Sequence, residues 1–462
     1  MTLTPFRIGW LALSAGLYIF IAYGVPREQF GTLLSLYGLL FWGYLLRVRP
    51  LWYHRLAQPG DSGTIPGFSE APDRFLFAAS IAFRLTLLFA LPRLSDDFYR
   101  FIWDGRLLVH GFNPYLYLPS GIINSPLADR AGVDGNLFIY LNSPDYYTVY
   151  PPLNQALFGL AAMLSPDNVL GNVVTLRVSI LLAELGVLWL LVRLLKHFNR
   201  NPNLALLYGL NPLVILELTG NVHFEAIVIF FVLMAVWLLV KNRWVLSAGA
   251  LALAVCTKLL PLLFLPLAIQ YLGWRRGIAY AALTLVLTGI LFLPFASVAL
   301  VQNVFSSINL YFQKFEFNAS VYYLIREVGF WIKGYNIIVQ AGFWLSLVTT
   351  LGVLWIAFNK KLTNSVSTKL ILTLTLYFAL ATTVHPWYAT TLIAVSVFTN
   401  FRFPLVWSGL IWLSYATYQS GLPYRENLLL TAVEYLAVVG YGLYEYWINK
   451  NPHQMPEHVM RA

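Results

Sequence analysis

The sequence holds one cysteine in 462 residues, Cys256, so no disulfide forms within the chain and a cysteine metal site is excluded. Charge is scarce as well: 11% of residues carry it, where a soluble domain has about 25%. Acidic residues are the rarer sign, 20 against 30 basic, and the net charge of +10 is scattered over short loops. That scatter suits the cytoplasmic flanks of membrane spans and gives no basic stripe for nucleic acid. There is no glycine-rich nucleotide loop. There is no internal repeat either, which removes support for the inverted-repeat plan of many transporters. No small-residue cleavage site follows the first apolar run, so residues 8–24 read as an anchor that stays.

What is abundant is apolar. Hydrophobic residues make up 59% of the chain, aromatic residues 16%, and the mean hydropathy is +0.67. Long apolar runs of this kind predict an all-α polytopic membrane protein with about 12–14 transmembrane helices and a large external first loop. Spans are expected at 8–24, 31–47 and 75–92, around a loop at 48–73 whose Arg47, Arg49, Arg55 and Arg74 place it in the cytoplasm. Residues 93–151 then form the external loop, too long for a mere connector. The run 150–164, opened by Pro151 and Pro152, reads as an interfacial or re-entrant helix. Spans follow at 172–192, 203–220 and 223–240, then two short broken helices in 244–272 around Lys258 and Pro261, and a span at 277–297. A second external segment, 298–336, precedes spans at 337–358, 367–384, 388–400, 403–420 and 427–447. The chain divides into 1–74, a core of 75–400, and 401–462.

The densest charge lies in SDDFYRFIWDGRLLVHGFNPYLY, residues 95–117. As a helix this stretch puts Asp97, Arg100, Asp104 and Gly111 on one side, with Asp96, Tyr99, Trp103 and His110 on the neighbouring side. Two carboxylates at the mouth of a membrane protein suit acid–base chemistry. The plainer reading is a helix start capped by Ser95, with acids complementing the dipole at about 0.3–1 kcal/mol each. The predicted topology also brings Tyr150-Pro151-Pro152, the run Asn221-Val222-His223-Phe224-Glu225, the 311–327 segment and His385 to the same face. Charges inside spans are costly and default to functional or paired roles. Arg84, Arg177, Glu184, Glu217 and Lys258 qualify. Arg84 suits a pair with a glutamate, and Arg177 either snorkels or reaches the site. Lys258 sits at a helix break, fit to bind a carbonyl end or a lipid phosphate.

The run Asp96-Asp97, Tyr99-Arg100, Trp103-Asp104-Gly105, Gly111 and Asn113-Pro114-Tyr115 resembles the first external loop of GT-C membrane glycosyltransferases. It is more narrowly similar to bacterial polyprenol-phosphate-mannose-dependent mannosyltransferases. Tyr150-Pro151-Pro152, the Lys258–Pro261 break and His385-Pro386-Trp387-Tyr388 resemble later motifs of that family in the same order, across residues 75–400. The first two spans look like an N-terminal addition. The resemblance implies transfer of a sugar, most expectedly mannose, from a polyprenyl-phosphate donor to a lipid or glycan acceptor at the external face of the plasma (inner) membrane, with inversion at C1. Asp97 matches the register of the family's base better than Asp96. Substrate contacts are then expected from Tyr99, Arg100, Trp103, Asp104, Asn113 and Tyr150. Further ones are expected from Arg177, His223, Glu225, Lys258 and Arg326, and from His385, Trp387 and Tyr388. No cofactor or metal is expected, because adjacent acids on a helix point about 100° apart, a poor chelating geometry. The alternative class is a transporter or flippase of lipid-linked sugars. Glycolipid, polysaccharide, protein and carotenoid-like acceptors stay open.

Overall fold

A computed structural model describes residues 4–53, 65, 67–363, 365–421 and 424–450, with backbone alone at 308 and 310–314. Arg55 of the expected cytoplasmic loop and the tail beyond 450 lie outside the described residues. Among the described residues there is no strand, only isolated bridges between Ile65 and Phe68 and between Phe317 and Thr383. The protein is an all-α polytopic membrane protein. Among the described residues, six helices are long and apolar enough to cross a bilayer, a bent pair makes a seventh if it is counted as one span, and six further apolar helices run 10–17 residues.

Helix α1 (Pro5–Gly24) starts at Pro5 with Thr4 as its cap, and α2 (Phe30–Tyr53) returns antiparallel to it. In α2, Leu33, Tyr37, Leu40, Tyr44, Val48 and Leu51 recur at helical spacing and are buried, while Leu39, Trp42 and Leu46 face outward. Burial of the tyrosines is tolerated because their hydroxyls are satisfied: Tyr37 donates to Ser408 O at 2.5 Å and Tyr44 to Leu207 O at 2.8 Å. Helix α3 (Arg74–Thr86) is capped by the Asp73 carboxylate, which bonds the amides of Phe75 and Leu76. Helix α4 (Asp97–Val109) carries the acidic motif and lies against α5 (Pro152–Leu164). Long α6 (Val169–His197) follows.

The expected straight span 203–220 is broken. It forms α7 (Pro202–Gly209) and α8 (Pro212–Gly220), bent by 57°. Pro212 has no amide to give, and Asn211 turns to cap Leu213 N at 3.0 Å, so the helix restarts. The last part of α8, Ile215–Gly220, is π-helical. Helices α9 (Glu225–Val240), α10 (Trp244–Val255), α11 (Leu260–Leu272) and α12 (Trp274–Phe292) come next, with the predicted break at Lys258 between α10 and α11. Then follow α13 (Val298–Lys314), α14 (Val321–Lys333), α15 (Ile338–Phe358), α16 (Val366–Leu380), α17 (Ala389–Ser396) and α18 (Phe403–Leu410). A 3-10 stretch, Ile411–Tyr418, leads on to α19 (Leu428–Lys450). The expected span 388–400 shrinks to α17. All eight of its residues are buried, so protein rather than lipid surrounds it and the length rule for a span does not apply.

The middle of the bundle holds a buried ion pair. Arg84 meets Glu184 Oε2 through Nε at 2.8 Å and Nη2 at 2.6 Å, and its Nη1 reaches Ser80 O and Gly209 O. Tyr208 gives its hydroxyl to the other Glu184 oxygen. Every lobe of the guanidinium has a partner, which is what a charge at this depth requires.

Candidate active site

The start of α4 is built by short-range chemistry. Ser95 Oγ accepts the Asp97 amide at 3.3 Å, as its type predicts. Asp96 stands at the cap position but makes no capping bond; its carboxylate pairs with Arg27 instead. The helix ends at Val109, and Gly111 adopts φ +81°, so Gly111 turns the chain instead of sharing a face with Asp97. Gly105 explains the close seat of α4 on α5: a Cβ there would lie 2.3 Å from Phe158 O.

Several residues expected to touch substrate are locked in the scaffold. Arg100 Nε bonds Asp104 Oδ1 at 2.8 Å, and Arg100 Nη1 bonds the carbonyls of Ser143 and Tyr146 at 3.0 and 2.9 Å. Gln155 bridges Asp104 Oδ2 at 3.2 Å and Thr148 Oγ1 at 3.1 Å. Arg100 and Asp104 are buried and knit α4 to the 143–148 loop and α5, and Trp103 is buried with its ring 6.0 Å from that of Phe138. Asn113 caps Tyr115 N and bonds Phe295 O at 3.0 Å, while Tyr115 donates to Tyr150 O at 2.6 Å. The Tyr150 ring packs edge-on against Phe101 and Phe158. Tyr99 stacks on Tyr140 at 4.9 Å. Arg177 is also withdrawn: it is fully buried and binds Thr219 O, Gly220 O and Leu88 O at 2.7–2.8 Å. Arg326 belongs to a separate cluster, paired with Glu316 at 2.7 Å and Glu327 at 3.2 Å and lying over the Tyr323 ring.

The rest come together. Asp97 is 24% exposed; its Oδ1 accepts from Asn142 Nδ2 at 2.7 Å and its Oδ2 lies 4.0 Å from His223 Nε2. His223 Nδ1 sits 2.9 Å from Glu217 O, so that nitrogen carries the proton in the neutral ring and Nε2 presents a lone pair. Nε2 is buried without a hydrogen-bond partner. The turn that aims this ring is strained: Val222, β-branched and buried, has φ +61°. Arg177 holds the carbonyls just before it, and Asn221 and His223 bond back to Leu216 O and Leu218 O. Glu217 lies beneath, taking Tyr415 OH at 2.5 Å and Asn221 Nδ2 at 3.2 Å.

His223 stacks on Trp387 at 3.7 Å, Trp387 on His385 at 4.4 Å, and His385 on Phe317 at 4.8 Å. The Phe317–Thr383 bridge fixes this pile, with Val384 N bonded to Phe317 O at 2.8 Å. Burial, aided by the nearby Lys258 ammonium, pushes His385 down to about 3, so its ring is neutral. Lys258 closes the row, paired with Glu225 and 4.8 Å over the Tyr388 ring, with 27% of its side chain exposed. On the opposite flank, Asp96 is bonded by Arg27 at 2.6 Å. Arg27, Asn142 and the strain at Val222 were not found from the sequence. Arg27 did leave a signal: it is a base in a short turn that the predicted topology puts on the external side, where the charge rule expects few. Asn142 and the backbone strain at Val222 left none.

The family model described as alpha-(1->6)-mannopyranosyltransferase, N-terminal domain, matches residues 1–276 and so includes α1 and α2. The alpha-(1->6)-mannopyranosyltransferase A of Corynebacterium glutamicum is 25% identical over 266 residues, covering 56% of this chain and 52% of the relative. The protein of the same name from Mycobacterium tuberculosis is 26% identical over 242 residues, covering 50% and 45%. Alpha-(1->6)-mannopyranosyltransferase B of C. glutamicum is 25% identical over 153 residues, covering 32% and 24%. The chain spans about half the length, or less, of the curated relatives it matches. With more than half of its residues under the family model, this chain belongs to the alpha-(1->6)-mannopyranosyltransferase family.

Proposed function

We propose that the chain transfers mannose from a polyprenyl-phosphate donor to a hydroxyl of a lipid or glycan acceptor, at the external face of the plasma membrane. The acceptor oxygen attacks C1, Asp97 takes its proton, and the C1–O bond to the lipid phosphate breaks. Inversion on a β-linked donor gives an α-mannoside, the linkage named in the relatives. The observation that carries this reading is the setting of Asp97. It is a partly exposed carboxylate that no arginine or lysine among the described residues pairs with, oriented by Asn142 and facing the free Nε2 of His223. A general base must be ionised and aimed within hydrogen-bond reach of the proton it takes. Along the aromatic row from Asp97, Lys258 lies over Tyr388, where a cation stabilises the charge that develops on a leaving phosphate. The neutral His385 donates or accepts a hydrogen bond there without adding charge. Purified protein given polyprenyl-phosphate mannose and an acceptor glycolipid should make the mannoside. Asp97→Asn should lose transfer by about 10²–10⁴-fold while still binding donor. Full transfer by Asp97→Asn, or failure of the unmodified protein to use this donor, would overturn the reading.

A further inference from the structure

The first external turn, between α1 and α2, reaches across to the acidic helix. Arg27 Nη1 bonds Asp96 Oδ2 at 2.6 Å, and its Nη2 bonds the Tyr424 hydroxyl at 2.9 Å. The guanidinium lies 4.9 Å over the Tyr418 ring and 5.6 Å from that of Tyr424, with 15% of the side chain exposed. Burial works against this charge, but Asp96 and the tyrosines outweigh it and hold the Arg27 pKa above the ordinary arginine value. An arginine caged by two rings and a carboxylate is far more fixed than a surface ion pair.

Two adjacent carboxylates repel, and one of them must serve as a free base. We infer that Arg27 is a positioning residue of this site: by binding Asp96 it cancels the neighbour's charge and leaves Asp97 as the carboxylate of the pair with no arginine on it among the described residues. This rests on the reading of Asp97 as the base. It makes the α1–α2 hairpin a working part of the site and gives the doubled acid a division of labour, with Asp96 as tether and Asp97 as reactive group. The groups facing the pair are Arg27 and Glu28 from the first turn, His223 with Glu217 behind it, Asn142 from the loop, and Tyr418 and Tyr424 near the C-terminal end. Arg27 alone among them carries a fixed positive charge.

The test is the acid limb of kcat/KM against pH in purified protein, for Arg27→Met, Arg27→Lys and the double variant Arg27→Met with Asp96→Asn. In Arg27→Met the uncancelled Asp96 charge favours protonated Asp97, so the limb should move up by about one pH unit. Adding Asp96→Asn removes the stray charge and should return the limb, although the tether is still missing. Arg27→Lys keeps the charge and should hold the limb near its original place. A purely structural tether predicts no return in the double variant. A limb unmoved in Arg27→Met, or unrestored in the double variant, overturns the Arg27 assignment. Asp97→Asn with intact transfer overturns the base reading itself, so the two failures are told apart.

Discussion

Gly105→Ala tests whether the seat of α4 on α5 sets the position of Asp97. The added Cβ would stand 2.3 Å from Phe158 O, 2.7 Å from Phe158 C and 3.2 Å from Ala162 Cβ. Real Cβ atoms essentially never come closer than 3.0 Å to such atoms, and the nearest atoms here are backbone, which cannot rotate away. The helices must therefore part by about 0.7 Å at this point, the difference between those two distances. Overpacking of this kind costs about 1–3 kcal/mol, and the apparent melting temperature in detergent should fall by several degrees. The shift passes along a rigid helix to Asp97, two turns away, and a misplacement near 1 Å costs up to about 10²-fold in rate. Turnover should drop about 10–100-fold with little change in donor affinity. Gly159→Ala is the control on the same interface. Its Cβ would meet Leu108 Cδ2 at 2.9 Å, the far end of a flexible side chain, so that variant should stay close to the unmodified protein. Gly105→Ala with unchanged melting and turnover, or Gly159→Ala with an equal loss, would refute the argument.

Arg84→Met leaves Glu184 as an uncompensated buried charge and should destabilise the protein by about 3–5 kcal/mol, read as lost thermal stability in detergent; adding Glu184→Leu should recover part of the loss. His385 is neutral in the fold but takes a proton near pH 6.5 when unfolded, so its contribution is complete above that pH and is lost as pH falls towards 3. Stability should therefore decline from pH 7 to pH 5 by at most about 1.4 kcal/mol per unit from this group, and His385→Phe, which keeps the ring stack, should flatten the slope. The proposed topology puts exposed Asp129 outside: Asp129→Cys, on a Cys256→Ser background, should react with a membrane-impermeant thiol reagent in intact cells, and reaction only after permeabilisation would reverse the orientation.

Apolar periodicity and the charge rule were enough to read the helical class, the break at Lys258 and the short helix after Pro151 and Pro152. They also placed Asp97, His223 and His385 on one face, and the structure brings these residues into one row. The limits have physical causes. A period of 3.6 shows which residues share a face, but not whether that face is open, so Arg100 and Asp104 looked available when they are bonded to each other inside the scaffold. Apolar composition did not show the bend inside 203–220, and helix length was overread at 388–400 because composition does not separate lipid-facing helices from short ones wrapped in protein. Arg27 and Asp96 are 69 positions apart, and only the tertiary fold joins them.

Arg177 grips Thr219 and Gly220 by their carbonyl oxygens and ignores their side chains. A Cβ at position 220 would meet Leu87 Cδ1 at 3.5 Å and Ile215 O at 3.9 Å, both ordinary contacts. The support beneath the His223 turn is therefore blind to the identity of the residues it holds. Substitutions such as Thr219→Val or Gly220→Ala can accumulate there without loosening the ring that faces Asp97, whereas Arg177→Lys, which cannot reach three carbonyls with one planar fork, would release it. In an evolving lineage the motif at 219–223 can drift out of recognition while its geometry persists, and the lasting mark of the site in that region is one arginine more than forty positions upstream.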